Sequence, residues 1–308
     1  MKGIIIVNSH THNSLLDYQP KRLKQEFELL GHNIDIVDND CFVVTIENQG
    51  FKSKLHEYDF CIYLDKDIPT LKAIEKTGIR IFNNPSAIIN CDDKALTYIE
   101  LCGLVPLPKT LFGAKIYNQE EIKNSYIENI EKELSYPFVL KINKSSQGRG
   151  VFLINNREEL LCQLNLNKDK DLIFQEYISQ AKGEDIRILT IGHNVIGAIK
   201  RYSTNGDFRS NCAVGGSAEV YPLDDQLKSI ALSIVDKMNL TYSGIDILRT
   251  GSGQYMVCEV NSNAFFKTFE ETTKENIAKQ YAMYILNEIN RSWWKMFQRF
   301  FLNIGYTF

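Results

Sequence analysis

The sequence predicts an α/β chain in which a small parallel lobe precedes a larger α+β region. Over roughly the first 88 residues, short apolar runs alternate with stretches of helical spacing, the pattern of a parallel sheet with crossover helices. Beyond them, a strand-loop-strand around residue 145 and a hairpin around residue 250 mark a region richer in antiparallel pairing.

Residues 3–8 are a short apolar run suited to a buried strand. Over 20–31, Leu23, Phe27 and Leu30 recur at helical spacing and Gly31 supplies a stop. Residues 33–37 alternate like a strand; 60–64 and 80–82 are two more, with a helix over 70–76 between them. A second region opens at Asn84-Pro85-Ser86, a turn followed by a helical pattern to Cys102, and Pro106 and Pro108 then begin an extended segment. A polar helix over 119–134 precedes a strand over 136–142, and the glycine-containing loop 145–150 leads straight into a strand over 151–154. From about Asp171 strands dominate until a helix over 225–238. Strands over 243–248 and 254–260 flank Thr250-Gly251-Ser252-Gly253, whose turn residues and apolar flanks make the clearest hairpin in the chain. A last helix covers 273–290. The expected organisation is therefore a lobe over 1–88, a central part over 89–170, a C-terminal part over 171–290 and an aromatic, basic tail over 291–308. No internal repeat or low-complexity linker interrupts it.

At 308 residues the chain can bury a large core, and 44% hydrophobic with 24% charged residues is ordinary globular composition. A formal net charge of −3 provides no global basic field, so nucleic acid is not expected as a partner. The seven cysteines are odd in number and contain no Cys-x-x-Cys, which predicts reduced thiols and a cytoplasmic protein. The apolar run behind Met1-Lys2 is too short for a signal peptide, and nowhere do ~18 apolar residues run together as a membrane span requires.

Four constellations carry chemistry. Asp246 lies on the first strand of the hairpin; Glu259 and Asn261 lie two apart on the second and so share a face. Three hard oxygen donors on one surface suit Mg²⁺, and a carboxylate set among Met256, Val257, Cys258 and Val260 needs a partner. A solvated strand face with scattered acids is the plainer alternative. The loop from Lys141 to Gly150 combines lysines with Gly148 and Gly150, so backbone N–H groups can approach phosphate oxygens; because it joins two strands it is a flap and not a P-loop. The alternative there is a simple polar hairpin turn. Gln175-Glu176-Tyr177-Ile178 follows an apolar strand, where backbone groups could read an adenine edge and Asp185 could accept from ribose hydroxyls; a strand ending in polar residues is the commoner explanation. Arg209, Ser210 and Asn211 offer bidentate anion binding or oxyanion stabilisation beside Gly215-Gly216, against a plain surface loop.

In this order the segments resemble the ATP-grasp superfamily, specifically the RimK-type α-L-glutamate ligases. The matching stretches are Asn84-Pro85-Ser86-Ala87-Ile88, Cys91-Asp92-Asp93-Lys94, Val105-Pro106-Leu107-Pro108-Lys109-Thr110, Val139-Leu140-Lys141 and Ser146-Gln147-Gly148-Arg149-Gly150. They continue with Gln175-Glu176-Tyr177-Ile178, Gly183-Glu184-Asp185-Ile186-Arg187, Gly206-Asp207-Phe208-Arg209-Ser210-Asn211, Gly244-Ile245-Asp246-Ile247-Leu248-Arg249 and Glu259-Val260-Asn261. The resemblance implies an ATP-grasp fold behind an N-terminal pre-ATP-grasp lobe, and an ATP- and magnesium-dependent (or manganese-dependent) carboxylate–amine ligase acting through an acylphosphate. It implies that Lys94, Lys141 and the flap residues Gln147, Gly148 and Gly150 meet the phosphates, Glu176 and Tyr177 the adenine, and Asp185 the ribose. Arg209, Ser210 and Asn211 would face the triphosphate and the reacting acyl group, with Arg209 and Lys141 as the catalytic pair; Asp246, Glu259 and Asn261 would hold the metal. The substrates implied are an amino acid joined to a peptide, protein or small metabolite.

One departure stands out. The family commonly continues Ala-Ser-Pro-Gly after the last metal ligand, where this chain has Ser262-Asn263-Ala264-Phe265-Phe266-Lys267. The acceptor is expected beside this segment, so glutamate need not be the added amino acid. Competing functions are a dipeptide or natural-product amide ligase, a phosphotransferase that stops at the phosphorylated substrate, and an ATP-binding regulator without ligase activity. His10-Thr11-His12-Asn13 follows the first strand at an end where α/β folds bind ligands, although a solvated loop explains it as well. The tail from Arg291 to Phe301 could pack on its own domain, meet a second subunit or partner, or lie on a membrane surface.

Overall fold

The computed structural model describes residues 1–11, 14–117, 121–210 and 216–303, the side chains of 14–15 and 292–303 excepted. In chain order its elements are β1 (Lys2–Val7), α1 (Ser14–Leu29), β2 (Asn33–Asp38), β3 (Val44–Glu47), β4 (Gly50–Ser53), β5 (Phe60–Tyr63), α2 (Ile68–Glu75), β6 (Arg80–Phe82), α3 (Pro85–Asp92), α4 (Lys94–Leu101), β7 (Thr110–Phe112) and α5 (Asn124–Glu133). They continue as β8 (Phe138–Ile142), β9 (Val151–Ile154), α6 (Arg157–Leu166), β10 (Leu172–Glu176), β11 (Glu184–Ile191), β12 (Asn194–Tyr202), β13 (Ser217–Tyr221), α7 (Asp225–Met238), β14 (Tyr242–Arg249), β15 (Tyr255–Asn261), α8 (Lys267–Thr273) and α9 (Ile277–Asn303). The chain forms two compact units. Unit 1 comprises Met1–Ile88, Leu240–Tyr242 and Asn263–Phe308; unit 2 comprises Ile89–Asn239 and Ser243–Ser262.

Unit 1 is built on a parallel sheet of order β2-β1-β5-β6. Ile4, Ile5, Ile6, Phe60, Cys61 and Ile62 are almost fully buried, as the unbroken apolar runs require. The first helix begins at Ser14, six residues before the expected start, and carries Pro20 inside it. A proline suggests a helix start, so apolar spacing gave no reason to extend α1 backwards through the buried but polar Gln19. The β3–β4 hairpin was not expected: its apolar Ile46 and Phe51 are paired with each other and exposed, so no buried face leaves an alternating pattern. The C-terminal helix is also displaced. Lys274 adopts φ 65° and ends a separate α8, and α9 then runs from Ile277 beyond the expected 290 to Asn303. Ile277, Tyr281, Ile285 and Ile289 recur every fourth residue and are buried, giving α9 its inner face. Asn83 secures the short return segment: its Nδ2 donates to the Tyr242 carbonyl at 2.7 Å and its Oδ1 accepts from the Thr241 N–H at 2.7 Å.

Unit 2 contains two antiparallel sheets, β7-β10-β8-β9 and β13-β12-β11-β14-β15. In the first, Phe138, Leu140, Ile154, Leu172 and Phe174 point to one side and pack with Ile127 and Ile130 of α5 and Leu160 and Leu164 of α6. The period of two leaves Val139, Lys141, Ile173 and Gln175 to the opposite face. Helix α6 was not expected, although Asn156 caps it by accepting from the Glu159 N–H at 2.9 Å while Glu159 accepts back from the Asn155 N–H, a readable start signal. The helical stretch expected to run to Cys102 is divided in two at Asp93, whose side chain caps α4 through the Leu96 N–H at 3.1 Å. In the second sheet, α7 packs on β11 and β12 through Leu227, Ile230, Ile234 and Met238.

Candidate active site

The hairpin sets the site. Asp246 lies directly opposite Glu259 and Gly244 opposite Asn261, so the two acids and the amide share one face of the sheet. The neighbours that alternate with them, Ile245 and Val260, are fully buried on the other face. The register shifts by one immediately afterwards, pairing Ile247 with Val257 and leaving Cys258 as the extra residue of a β-bulge. That bulge lets Cys258 point in the same general direction as Glu259. Its carbonyl accepts from the Tyr98 hydroxyl at 2.5 Å and its Sγ lies 3.7 Å from Lys141 Nζ.

Lys141 is buried, with Tyr98 Oη 3.5 Å from its Nζ. Burial opposes its charge, but Cys258, Tyr98 and Glu259 together outweigh burial and raise its pKa. Burial pushes the Cys258 thiol up. Lys94, also buried, donates to the Ser145 carbonyl at 2.6 Å and lies 3.6 Å from Glu259 Oε1. It is aimed by its neighbours: Asn143 Nδ2 donates to Asp93 at 2.6 Å, and Asn143 Oδ1 accepts from the Ala95 N–H at 2.7 Å. Two cations and three oxygen-bearing side chains thus converge within unit 2.

The flap joins β8 to β9, with Ile142 N–H donating to the Gly150 carbonyl at 2.7 Å. Gln147, Gly148 and Gly150 have φ of 58°, 71° and 74°, which turns successive peptide groups sharply in the way a phosphate cradle needs. Arg209 spans the Asp207 carboxylate with Nε and Nη2 at 2.9 and 2.6 Å, and its Nη1 donates to the Gly148 carbonyl at 2.7 Å. The guanidinium holds Asp207 below the usual carboxylate range. Ser210 donates to Asp185. Asn211 lies outside the described residues.

Glu176 directs its carboxylate to the Lys109 N–H at 2.7 Å, so the side chain orders the backbone at the end of β10. Tyr177 packs edge-on against Phe208, ring centroids 6.3 Å apart, and its buried hydroxyl has no hydrogen-bond partner among the described residues. Of the residues singled out in the sequence, Lys94, Lys141, Asp246 and Glu259 are joined by these contacts or by the strand register. Asp185 is occupied by Arg201, whose Nε and Nη2 reach its two oxygens at 2.7 and 2.5 Å.

Two arginines that residue-type reasoning missed clamp the centre. Arg187 reaches both Asp246 oxygens at 2.7 Å, and Arg201 lies 3.1 Å from the same carboxylate. Burial raises the pKa of Asp246, but the two guanidinium groups outweigh burial and lower it. A signal existed: Asp185 and Arg187 are two apart on β11, and Arg201 on β12 lies opposite Asp185. Tyr98 and Cys258 left none beyond an aromatic in a helix and a thiol in a strand.

A divalent cation fits the donors. Among the described residues Asn261 Nδ2 is buried without a hydrogen-bond partner, and Glu259 stands beside Asn261 on the same face. Asp246 already accepts from two arginines and retains only its second lone pairs. Among the described residues no cluster of three or more His, Cys, Asp or Glu forms an all-protein metal cage.

A profile of the RimK-like ATP-grasp domain matches residues 93–285. The chain is 35% identical over 226 residues to β-citrylglutamate synthase B of Danio rerio, covering 72% of this chain and 54% of that relative, so it spans about half the relative's length. It is 31% identical over 276 residues to the probable α-L-glutamate ligase of Vibrio vulnificus, covering 85% of this chain and 89% of that one. Among solved structures, the ATP-grasp ligase PsnB, in complex with a precursor variant, magnesium and ADP, superposes with a TM-score of 0.69 over 93% of this chain and 98% of that one. At 17% identity this likeness carries the fold alone: ATP-grasp.

Proposed function

We propose that this chain, which belongs to the RimK-like ATP-grasp family, is an ADP-forming ligase that joins a carboxylate to the amine of an amino acid in the cytoplasm. The observation that carries the reading is the convergence of Lys94, Lys141, Glu259, Asn261 and Asp246 in one unit, with Lys94 Nζ 3.6 Å from Glu259. Both curated relatives above are named for products or activities involving glutamate, which supports an amino acid as one substrate.

A carboxylate is a poor electrophile and has to be activated. Phosphoryl transfer from ATP gives an acylphosphate and ADP; the amine then attacks the acyl carbon, and phosphate leaves. Lys141 and Lys94 neutralise charge on the nucleotide's phosphates from a low-dielectric surround, where their effect is larger than in water. Arg209 is placed by Asp207 to meet the reacting acyl group once its bond to the flap carbonyl exchanges for one to substrate. The flap's left-handed run at Gln147, Gly148 and Gly150 offers N–H groups to phosphate oxygens and sheds water that would hydrolyse the acylphosphate. Ordered backbone after Glu176 and the face of Tyr177 receive the adenine, Asp185 serves the ribose and Ser210 the triphosphate. Glu259 and Asn261, with the remaining lone pairs of Asp246, would hold magnesium or manganese, which when bound supplies further neutralisation of phosphate charge.

The test is ADP release with ATP, magnesium and a panel of carboxylates and amino acids, with product masses determined. Amine-dependent turnover should appear, and Glu259→Gln and Asp246→Asn should each reduce it at least 100-fold. Nucleotide consumption by both variants at the parental rate would overturn the reading; a phosphorylated product without amide would make the chain a phosphotransferase.

A further inference from the structure

Helix α4 brings a second residue to the centre of unit 2 besides Lys94. Lys94, Thr97, Tyr98 and Leu101 form its buried face, so Lys94 and Tyr98 stand one turn apart on the same side. Tyr98 is 4% exposed, and a phenol hydroxyl buried this deeply needs a partner. Its one proton has two acceptors within reach, the Cys258 carbonyl at 2.5 Å and Gln175 Oε1 at 3.4 Å. Distance decides for the carbonyl.

That carbonyl belongs to the bulge. β15 is the edge strand of its sheet, and at the bulge its backbone is met from outside the sheet: the Val257 N–H donates to the Pro106 carbonyl at 2.9 Å, and the Cys258 carbonyl accepts from Tyr98. With the proton committed there, Tyr98 Oη presents lone pairs to Lys141 Nζ at 3.5 Å. The Tyr98 ring adds a cation–π attraction, its centroid 5.8 Å from the same nitrogen. Lys141 is 5% exposed, and among the described residues its other hydrogen-bonding neighbour is Cys258 Sγ at 3.7 Å. Its three N–H donors therefore have only long contacts, which steer the ammonium without using up its capacity for strong hydrogen bonds. Lys94 differs, being already bonded to the Ser145 carbonyl at 2.6 Å.

We propose that Tyr98 is a positioning residue for the nucleotide: its hydroxyl, fixed by the Cys258 carbonyl, sets where the Lys141 ammonium stands to meet a phosphate. The assignment rests on the reading of Lys141 as a phosphate-binding residue, but not on the identity of the carboxylate or the amine.

The test is calorimetric titration of the full chain with magnesium and AMPPNP, an ATP analogue that keeps all three phosphates. Tyr98→Phe retains the ring and removes the hydroxyl. It should weaken binding about tenfold, the size of one polar contact to a charged group. KM for ATP should rise by a like factor, with the amine KM unchanged. A role confined to packing would lower the melting temperature and leave affinity, measured well below it, at the parental value. A double-mutant cycle locates the effect: in a Lys141→Met background, Tyr98→Phe should weaken binding by less than about twofold. Should Tyr98→Phe fail to fold, as a melting curve would show, Tyr98→Met is read in the same way. Parental affinity in Tyr98→Phe, or losses that add in the double variant, overturns the proposal. Parental affinity in Lys141→Met removes the role of the lysine and the proposal with it. Weakened binding in both single variants, without amine-dependent ADP release by the parent, leaves Tyr98 assigned and removes the ligase reading alone.

Discussion

At the scale of single residues, the centre of unit 2 is an alternation of charge: Asp185, Arg201, Asp246 and Arg187, each contacting the next. Its members are nearly buried, so each partner is indispensable to the others even though the set as a whole contributes little net stability. Arg187→Ala should therefore destabilise the fold by about 3 kcal/mol, since Arg201 still covers one side of Asp246. Urea unfolding would register this as a lower midpoint at unchanged slope. Arg187→Lys should recover only part of the loss, because an ammonium cannot span both carboxylate oxygens. The acids of this cluster were legible in the sequence as residue types with strand spacing. The arginines were not, because their meaning depends on which residue of β12 faces which residue of β11.

At the scale of elements, two local devices support the site. Gly150 closes the flap at φ 74°, and a Cβ there would meet Ile142 Cδ1 at 2.9 Å. Gly150→Ala combines a left-handed penalty of about 1–2 kcal/mol with a contact that forces Ile142 to move. A lower melting temperature and a raised KM for ATP are expected, with the amine KM unchanged. Helix α7 begins at Asp224, which accepts from the Leu227 N–H at 2.8 Å and from the Tyr255 hydroxyl at 2.7 Å. Partial burial raises its pKa, but these donors outweigh burial and the folded-state value lies below the usual carboxylate range. Stability from this cap is thus present above the unfolded pKa of about 3.9 and is lost as pH falls through the lower folded value. Asp224→Ala should cost about 1 kcal/mol at pH 7. In denaturant titrations over pH 7 to 2, the gap between parent and variant should narrow below pH 4. The flap was readable because glycine acts through local backbone geometry, whereas Asp224 was not singled out as a cap. Helix α1 was misplaced because its deepest polar residue, Gln19, breaks the apolar rhythm that marks a helix.

At the scale of the whole molecule, a ligand that binds only the folded chain must raise its stability. Magnesium–ADP at about 100 times its Kd should add about 2.7 kcal/mol, read as a rise in melting temperature that a chelator reverses. ADP without a divalent cation should give a smaller rise. The parallel strands β1, β2, β5 and β6 and the β14–β15 hairpin were legible along the chain, because each is announced by nearby residues. The membership of unit 1 was not: residues 240–242 and the C-terminal helices belong with the first 88 residues, and no local pattern announces so distant a partnership. That discontinuity reaches into biosynthesis. As the nascent polypeptide leaves the ribosome, α1 emerges long before α8 and α9, the helices it packs against. Residues 89–262 lie between the two parts, so decoding at roughly 5–20 residues per second leaves the early lobe uncovered for roughly 9–35 seconds. Unit 2 is complete once Ser262 has been made, before α8 and α9 follow, so the later-encoded body can reach its native state first while the earlier one needs chaperone shelter.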